Sequence, residues 1–310
     1  MMQLLIVNFH YYGNQQYKSG IYPVRPAFFE NQLKVISKEY QFISQTNLAK
    51  LIQEQEFPEG KYCLITFDDG LKQQMSAFNW LTENNIPAIF YVPTMPIMEG
   101  KVLDVHKLHF IRANIEDNEL IKLLQKEPSY EYTQIDKEIA VNQYKYDNEL
   151  AREIKYQLNF KWTSEAKDSF INNTFNQLFP NESIFSNEFY MNESDIQHLA
   201  NANMLGSHGH AHIPLAQSNN AKNDILTSIN FLEQLTQKPI LSFSYPYGST
   251  AAVNVSTTEH FIDLNAVFAL TMWRGINENE DFKQQPFLLK RIDTNDAPAG
   301  KNNSHTYSLS

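Results

Sequence analysis

The sequence predicts an α/β protein: a largely parallel sheet covered by helices, with one long helical insertion. Three observations lead there. Over the first hundred residues, short apolar runs alternate with segments of helical periodicity. The runs are nearly continuous in apolar residues, as strands covered on both faces require. The alternation stops at about residue 101, gives way to helical patterns until about 190, and then resumes.

Taken in order, QLLIVNF (3–9) reads as a strand ending at His10. AFFENQLKVISKE follows with Phe28, Phe29, Leu33 and Ile36 at helical spacing. QFIS is a short strand, and TNLAKLIQEQ is a helix opening on Thr46 as its cap. YCLITF (62–67) is a buried strand, QQMSAFNWLTENN a helix and IPAIFYVP a strand. In the insertion, DVHKLHFIRANI, DNELIKLLQK, residues 135–160 and SEAKDSFINNTFNQLF each read as a helix. Beyond it come ESDIQHLANAN (helix), MLGSHGHAH (strand end and loop), NDILTSINFLEQLTQ (helix), ILSFSYPYGS (strand and turn), LNAVFALTM (strand) and FLLKRID (strand). The chain after Asp296 is polar and expected to be loosely held.

Composition narrows the function. Lys and Arg number 25 against 35 Asp and Glu, a net charge of −10. That argues against nucleic acid or an anionic membrane as the main partner and leaves a neutral sugar open. Cys63 is the single cysteine, so no internal disulfide forms. The start MMQLLIVNFHYYG has no basic residue before its short apolar run, and no stretch is long and apolar enough to span a membrane. A cytoplasmic location is the expectation.

Three stretches carry chemistry. In TFDDG, Asp68 and Asp69 stand side by side at the end of a buried strand. Two adjacent like charges there are costly unless something positive offsets them. In GSHGHAHIPL, His208 and His212 are four apart, a spacing that on a helical turn points both imidazoles one way, and a common metal-ligand arrangement. Both motifs follow predicted strands, on the face where α/β active sites collect. One carboxylate and two neutral imidazoles make a three-ligand site with open positions, the pattern of a catalytic metal. The other carboxylate is then available as a base. In SFSYPYGS, Pro246 and Gly248 shape a tight turn that presents a backbone N–H, such as that of Tyr247, to an oxyanion. Trp273, just past a strand, suits core packing and could alternatively stack on a sugar ring.

TFDDG, His-x-x-x-His and PYG, in this order, resemble the motifs of the polysaccharide deacetylases of carbohydrate esterase family 4, the NodB-homology group. The resemblance covers about residues 1–100 and 190–296. It implies a distorted (β/α)7 TIM-like barrel, with residues 1–296 as the catalytic domain, 101–190 as a helical insertion and 297–310 as a polar tail. It implies Asp68 as catalytic base and Asp69, His208 and His212 as ligands of one divalent metal, usually zinc and sometimes cobalt or nickel. Tyr247 would give the oxyanion N–H. The implied reaction is removal of an acyl group, most often acetyl, from an N-acylated amino sugar in a glycan or glycan precursor, as in surface-polysaccharide biosynthesis.

The sequence departs from the family's pattern in three places. Many members carry an Arg two positions before the Pro of PYG to tether the base; here that position is Ser244, as in the FSYPYG subgroup. Arg291 in LKRID is the candidate substitute, with Arg274 behind it. The Leu-x-His that supplies the catalytic acid near the C-terminus is missing. LLIVNFHYYG is instead similar to the first strand of circularly permuted members, in which the His after that strand is the acid, and His10 fits that place. The third departure is the insertion, where His106 and His109 share a helix face; a structural or surface role is the expectation, and lining the cleft is the alternative. A hydrolase of small cyclic or ureide amides, or a glycan-binding protein without turnover, are the alternatives.

Overall fold

The computed structural model describes residues 1–143 and 148–302. Nine strands join in one sheet: β1 (Met2–Phe9), β2 (Gln41–Phe42), β3 (Gly60–Phe67), β4 (Ala88–Val92), β5 (Leu205–Ser207), β6 (Ser242–Ser244), β7 (Phe268–Leu270), β8 (Asn277–Glu278) and β9 (Ile292–Asp293). The helices are α1 (Pro26–Ile36), α2 (Gln45–Glu54), α3 (Gln74–Glu83), α4 (Met95–Glu99), α5 (Asp104–Asn114), α6 (Asp117–Leu124), α7 (Gln134–Gln143), α8 (Glu149–Tyr156), α9 (Ser164–Leu178), α10 (Glu182–Phe189), α11 (Glu193–Asn201), α12 (Ala221–Thr236), α13 (Val255–Thr258) and α14 (Asn279–Gln284). The chain divides into two compact units. One comprises residues 1–14, 23–101 and 186 onward; the other comprises Gln15–Tyr22 and Val102–Phe185.

In the first unit the strand order is β7-β6-β5-β4-β3-β1-β8, with β2 on β3 and β9 on β1. Strand pairs are parallel except β1 with β8. The sheet curls. Leu289 bridges to Leu270 of β7, and three residues later Ile292 pairs with Val7 of β1. One short segment therefore joins the two ends of the strand sequence, and the fold is a distorted α/β barrel.

Both faces of the sheet are buried, which is why its strands lack a clean polar alternation. Leu5, Val7 and Phe9 of β1, with Cys63, Ile65 and Phe67 of β3, pack in the core that includes α1 residues Phe29, Leu33 and Ile36. Phe67 stacks on Phe90 at 4.7 Å and on Phe9 at 5.2 Å between ring centroids. Such pairs contribute about 0.5–1.5 kcal/mol each beyond area burial. The alternate residues Leu4, Ile6 and Leu64 belong to a second cluster with Ile89, Tyr91, Phe268 and Leu270. Asn8 and Thr66, opposite each other in the β1–β3 register, continue this second face. They are polar and buried, and they lead toward the strand ends.

Several local expectations are corrected. The cap of α2 is Ser44, whose hydroxyl accepts the Asn47 N–H, so Thr46 lies inside the first turn. FLLKRID is a strand only at Ile292–Asp293; Pro286–Leu288 form a 3-10 turn, because proline at its start has no N–H to give a ladder. Of the polar tail 297–310, residues 303–310 lie outside the described residues. Its beginning is held: Ala297 is buried, and Gln32 donates to the carbonyls of Thr294 and Pro298.

Among its described residues, the Val102–Phe185 segment of the second unit contains helices and no strand, and the sequence also offers none there. The reading of 135–160 as one helix crosses residues 144–147, which lie outside the described residues; α7 and α8 stand on either side, and residues 157–161 form a π turn. Phe110 of α5 packs edge-on against Phe179 and Phe185. The buried Lys107 ammonium lies 2.8 Å from Glu182 and donates to Asn172 Oδ1. Asp136 accepts from Thr133, Tyr156 and Lys161. His106 is fully buried in this unit, 6.0 Å from the His109 ring. No helix among the described residues is long and apolar enough to cross a membrane.

Candidate active site

β3 runs straight into the acid pair, and the backbone then separates the two carboxylates. The Asp68 N–H still bonds to the Phe9 carbonyl, as the next rung of the β1–β3 ladder. Asp69 takes φ of +79° and Gly70 +60°. The left-handed region is unfavourable for most residues and tolerated by aspartate. The Cβ of any other residue at Gly70 would lie 3.1 Å from Val92 Cγ1, so glycine fits the turn against β4. This turn sends neighbouring side chains to different partners.

Asp68, 2% exposed, meets a buried guanidinium. Arg291 reaches Asp68 Oδ1 with Nη1 at 2.9 Å and Oδ2 with Nη2 at 2.8 Å, a bidentate pair. Its other contacts fill the rest of the fork. Nε donates to the Thr271 carbonyl, Nη1 also to Asn8 Oδ1, and Nη2 also to Ser244 Oγ, at 2.9, 3.0 and 2.9 Å. Ser244 thus holds the arginine that arrives from the far end of the chain. Arg291 stands between Leu289 and Ile292, in the segment that joins β7 to β1. Arg274, the second candidate, pairs instead with Asp296 at 3.1 Å on the surface.

Burial by itself pushes the Asp68 carboxyl up. The charge of Arg291, the nearby His208, the Arg291 hydrogen bonds and His10 together outweigh it, and the group comes down to about 2. It is a carboxylate at neutral pH. The ordinary value of 3.8 lies above the folded one, so the stabilisation is complete above pH 3.8 and is lost as pH falls toward 2. In chelator-stripped protein the melting temperature should fall across that window, and Asp68→Asn should flatten the fall. An unchanged slope in the variant would assign the acid transition to other carboxylates.

Asp69 turns toward the histidines. Its Oδ1 lies 3.4 Å from His208 Nε2 and 3.4 Å from His212 Nε2. Asp69, His208 and His212 are all buried, with one ligand atom from each within 4.8 Å of the others, and this group can hold a metal ion. Donors at about 2.0–2.1 Å from a tetrahedral zinc stand about 3.3 Å apart, so the two 3.4 Å spacings suit such an ion. His208 Nδ1 lies 2.7 Å from the Ser244 carbonyl, which accepts only from an N–H. This fixes the tautomer and leaves the Nε2 lone pair facing Asp69. Burial pushes the His208 imidazolium down, but Asp68 and Asp69 together outweigh that and raise it.

The histidine spacing does not work through a helical turn. Residues 208–212 are an irregular loop after β5, with Gly209 at φ +76° and His212 at +55°. The two rings still come within 4.9 Å, edge to face. Two left-handed residues bend the loop back, where the sequence expectation used the rise of a helix.

Tyr247 also has positive φ, +61°, and Gly248 follows at +56°. The Gly248 N–H closes a tight turn onto the Pro246 carbonyl at 2.7 Å, and a Cβ there would sit 2.6 Å from the Met272 nitrogen. The Tyr247 ring, 48% exposed, packs edge-on against His212 at 4.9 Å. His10 follows β1, its carbonyl accepting from Gln74 Nε2, which also donates to the Asp68 carbonyl. Trp273 is partly buried against the main core, and its carbonyl accepts the Arg291 N–H.

Sequence reading missed Asn8, Gln74, Thr66 and Asp224. Asn8 Nδ2 donates to Asp68 Oδ2 at 3.1 Å, while its Oδ1 accepts from Thr66 and Arg291. A polar residue interrupting an apolar strand was the only available signal for it.

The curled parallel sheet is similar in fold to solved deacetylases. The chain is similar to the Streptococcus pyogenes deacetylase PplD, solved with acetate, at TM-score 0.58 and 14% identity over 94% of this chain and 92% of that one. A polysaccharide deacetylase from Bacillus cereus matches at TM-score 0.55 and 16% identity, over 94% and 64%. A de-N-acetylase from Aggregatibacter actinomycetemcomitans matches at TM-score 0.55 and 11% identity, over 99% and 98%. At such identities the likeness is one of fold. The sequence matches no protein-family model, and no curated protein matches it significantly.

Proposed function

We propose that the protein is a metal-dependent deacetylase that hydrolyses the N-acetyl amide of an amino sugar in a glycan or glycan precursor. The observation that carries this reading is the division of labour between the adjacent acids: Asp68 bound to Arg291, Asp69 facing His208 and His212. Asp69, His208 and His212 would hold one divalent ion, zinc by preference, since two imidazoles and a carboxylate suit zinc, cobalt or nickel better than calcium or magnesium. When bound, such an ion supplies Lewis acidity, polarising the amide carbonyl and lowering the pKa of water.

The chain's own residues do the rest. Asp68, oriented by Arg291 and Asn8, takes the proton from the attacking water. The Tyr247 N–H donates to the oxygen that becomes negative in the tetrahedral species. His10 gives a proton to the departing amine. The products are acetate and the free amino sugar. Trp273 and the exposed Tyr247 ring are the aromatic surfaces available to a sugar.

His208→Ala and Asp69→Ala should each lose most of the bound zinc by elemental analysis, and with it acetate release from short N-acetylglucosamine oligomers. Full metal retention in both variants would remove the site assignment. Metal in the wild type without turnover on any amide would favour a glycan-binding protein.

A further inference from the structure

Asp224, in the first turn of α12, is a buried carboxylate at 2% exposure that the proposed reaction does not use. Its partners among the described residues are two consecutive backbone N–H groups: Oδ2 accepts from His210 at 2.9 Å and Oδ1 from Ala211 at 2.8 Å. A carboxylate taken from water into such a place is costly unless its oxygens are well satisfied. Here both are satisfied by the short loop between His208 and His212.

The rest of that loop is pinned as completely. The Gly209 N–H donates to Ser207 Oγ at 3.3 Å. The Gly209 and His210 carbonyls accept from the Thr94 and Met95 N–H groups at 3.2 and 2.9 Å. The His210 ring bridges Thr94 Oγ1 at 2.9 Å and Glu99 at 3.0 Å. Asp224 therefore holds the N–H side of the loop while the start of α4 holds its carbonyl side. A Cβ on Gly209 would stand 2.5 Å from Asp224 Oδ2, so the carboxylate also fills the space that the left-handed glycine leaves.

We infer that Asp224 is a positioning residue for metal binding: its carboxylate holds the 208–212 loop in the shape that converges His208 and His212 before any ion arrives. The inference rests on the metal reading of the Asp69, His208 and His212 group. Asn at 224 keeps the size but offers one acceptor oxygen in place of two, and turns an NH2 donor toward a backbone N–H. One N–H loses its partner, and the loop is no longer held in a single form.

Supporting groups of this kind change metal affinity by about 10- to 100-fold when removed. The test measures zinc and cobalt affinity of the full chain by chelator competition, in wild type and Asp224→Asn, with the metal-free melting curves recorded alongside. The expected result is a 10- to 100-fold weaker affinity at temperatures where the metal-free variant is folded, with turnover recovered by excess metal. A merely structural residue would lower the melting temperature and leave the affinity of the folded protein unchanged. Gly209→Ala presses on the same contact from the loop side and should also weaken affinity, so it serves if Asp224→Asn does not fold. Wild-type affinity in the folded variants overturns the inference. Absence of metal binding in the wild type would be a different failure, overturning the metal reading and this inference with it.

Discussion

Asp68→Asn is expected to retain the metal and to lose hydrolysis by about two to four powers of ten, the usual scale for a general base. The swap keeps the size of the side chain, and the Asp69, His208 and His212 group does not include it. What changes is the capacity to take a proton, together with one arm of the Arg291 fork. Asn8 and Arg291 both donate to this side chain, so at most one oxygen of the amide satisfies them, and its NH2 must face a donor. The melting temperature should fall as well. Metal content measured on the folded fraction separates this from loss of the site. Turnover within a few-fold of wild type would mean that another group is the base.

Arg291→Met is expected to cost stability on the scale of about 3–5 kcal/mol, as for removal of one partner from a buried ion pair. Arg291 is 1% exposed, and its guanidinium ties together β1, the end of β3, β6 and the residue after β7, through Asn8, Asp68, Ser244 and the Thr271 carbonyl. Methionine fills much of the volume and offers no donor, which leaves the Asp68 carboxylate buried beside unsatisfied acceptors. Denaturant unfolding at neutral pH measures the loss. The double variant Arg291→Met with Asp68→Asn should recover part of it, because the stranded charge is then gone. A loss below about 1 kcal/mol in the single variant would put the pair in the class of solvent-screened contacts, against its burial. Arg291→Lys keeps the charge without the planar fork and should fall between wild type and methionine in both stability and turnover.

The strand–helix alternation was legible because each strand is a compact apolar run and each helix has its own periodicity, both written in consecutive residues. The candidate site was legible where it is local: Asp68 beside Asp69, His208 four before His212, and Pro246-Tyr247-Gly248 all stand out within a few positions. Arg291 could be singled out only because Ser244 stands where an arginine was expected, a gap that calls for a cation from elsewhere. Loop geometry was harder. Four-residue spacing is shared by a helical turn and by a loop containing two left-handed residues, and the sequence around His208 and His212 does not distinguish them.

Tertiary structure alone decided the long-range contacts. Asn8 and Arg291 are 283 positions apart, and Asp224 meets His210 across 14. Nothing in either local sequence marks the partner. The inward face of a curled sheet collects whichever residues the strand register brings opposite one another, so Asn8 faces Thr66 because β1 and β3 pair in parallel from Met2 and Gly60 onward. A hydrogen bond depends on distances of a few tenths of an ångström and on direction, and both are set by the packing of the whole barrel. By itself, then, the sequence determined which side chains are candidates for the proposed chemistry, while burial and register decided which acid is held by arginine and which faces the two imidazoles.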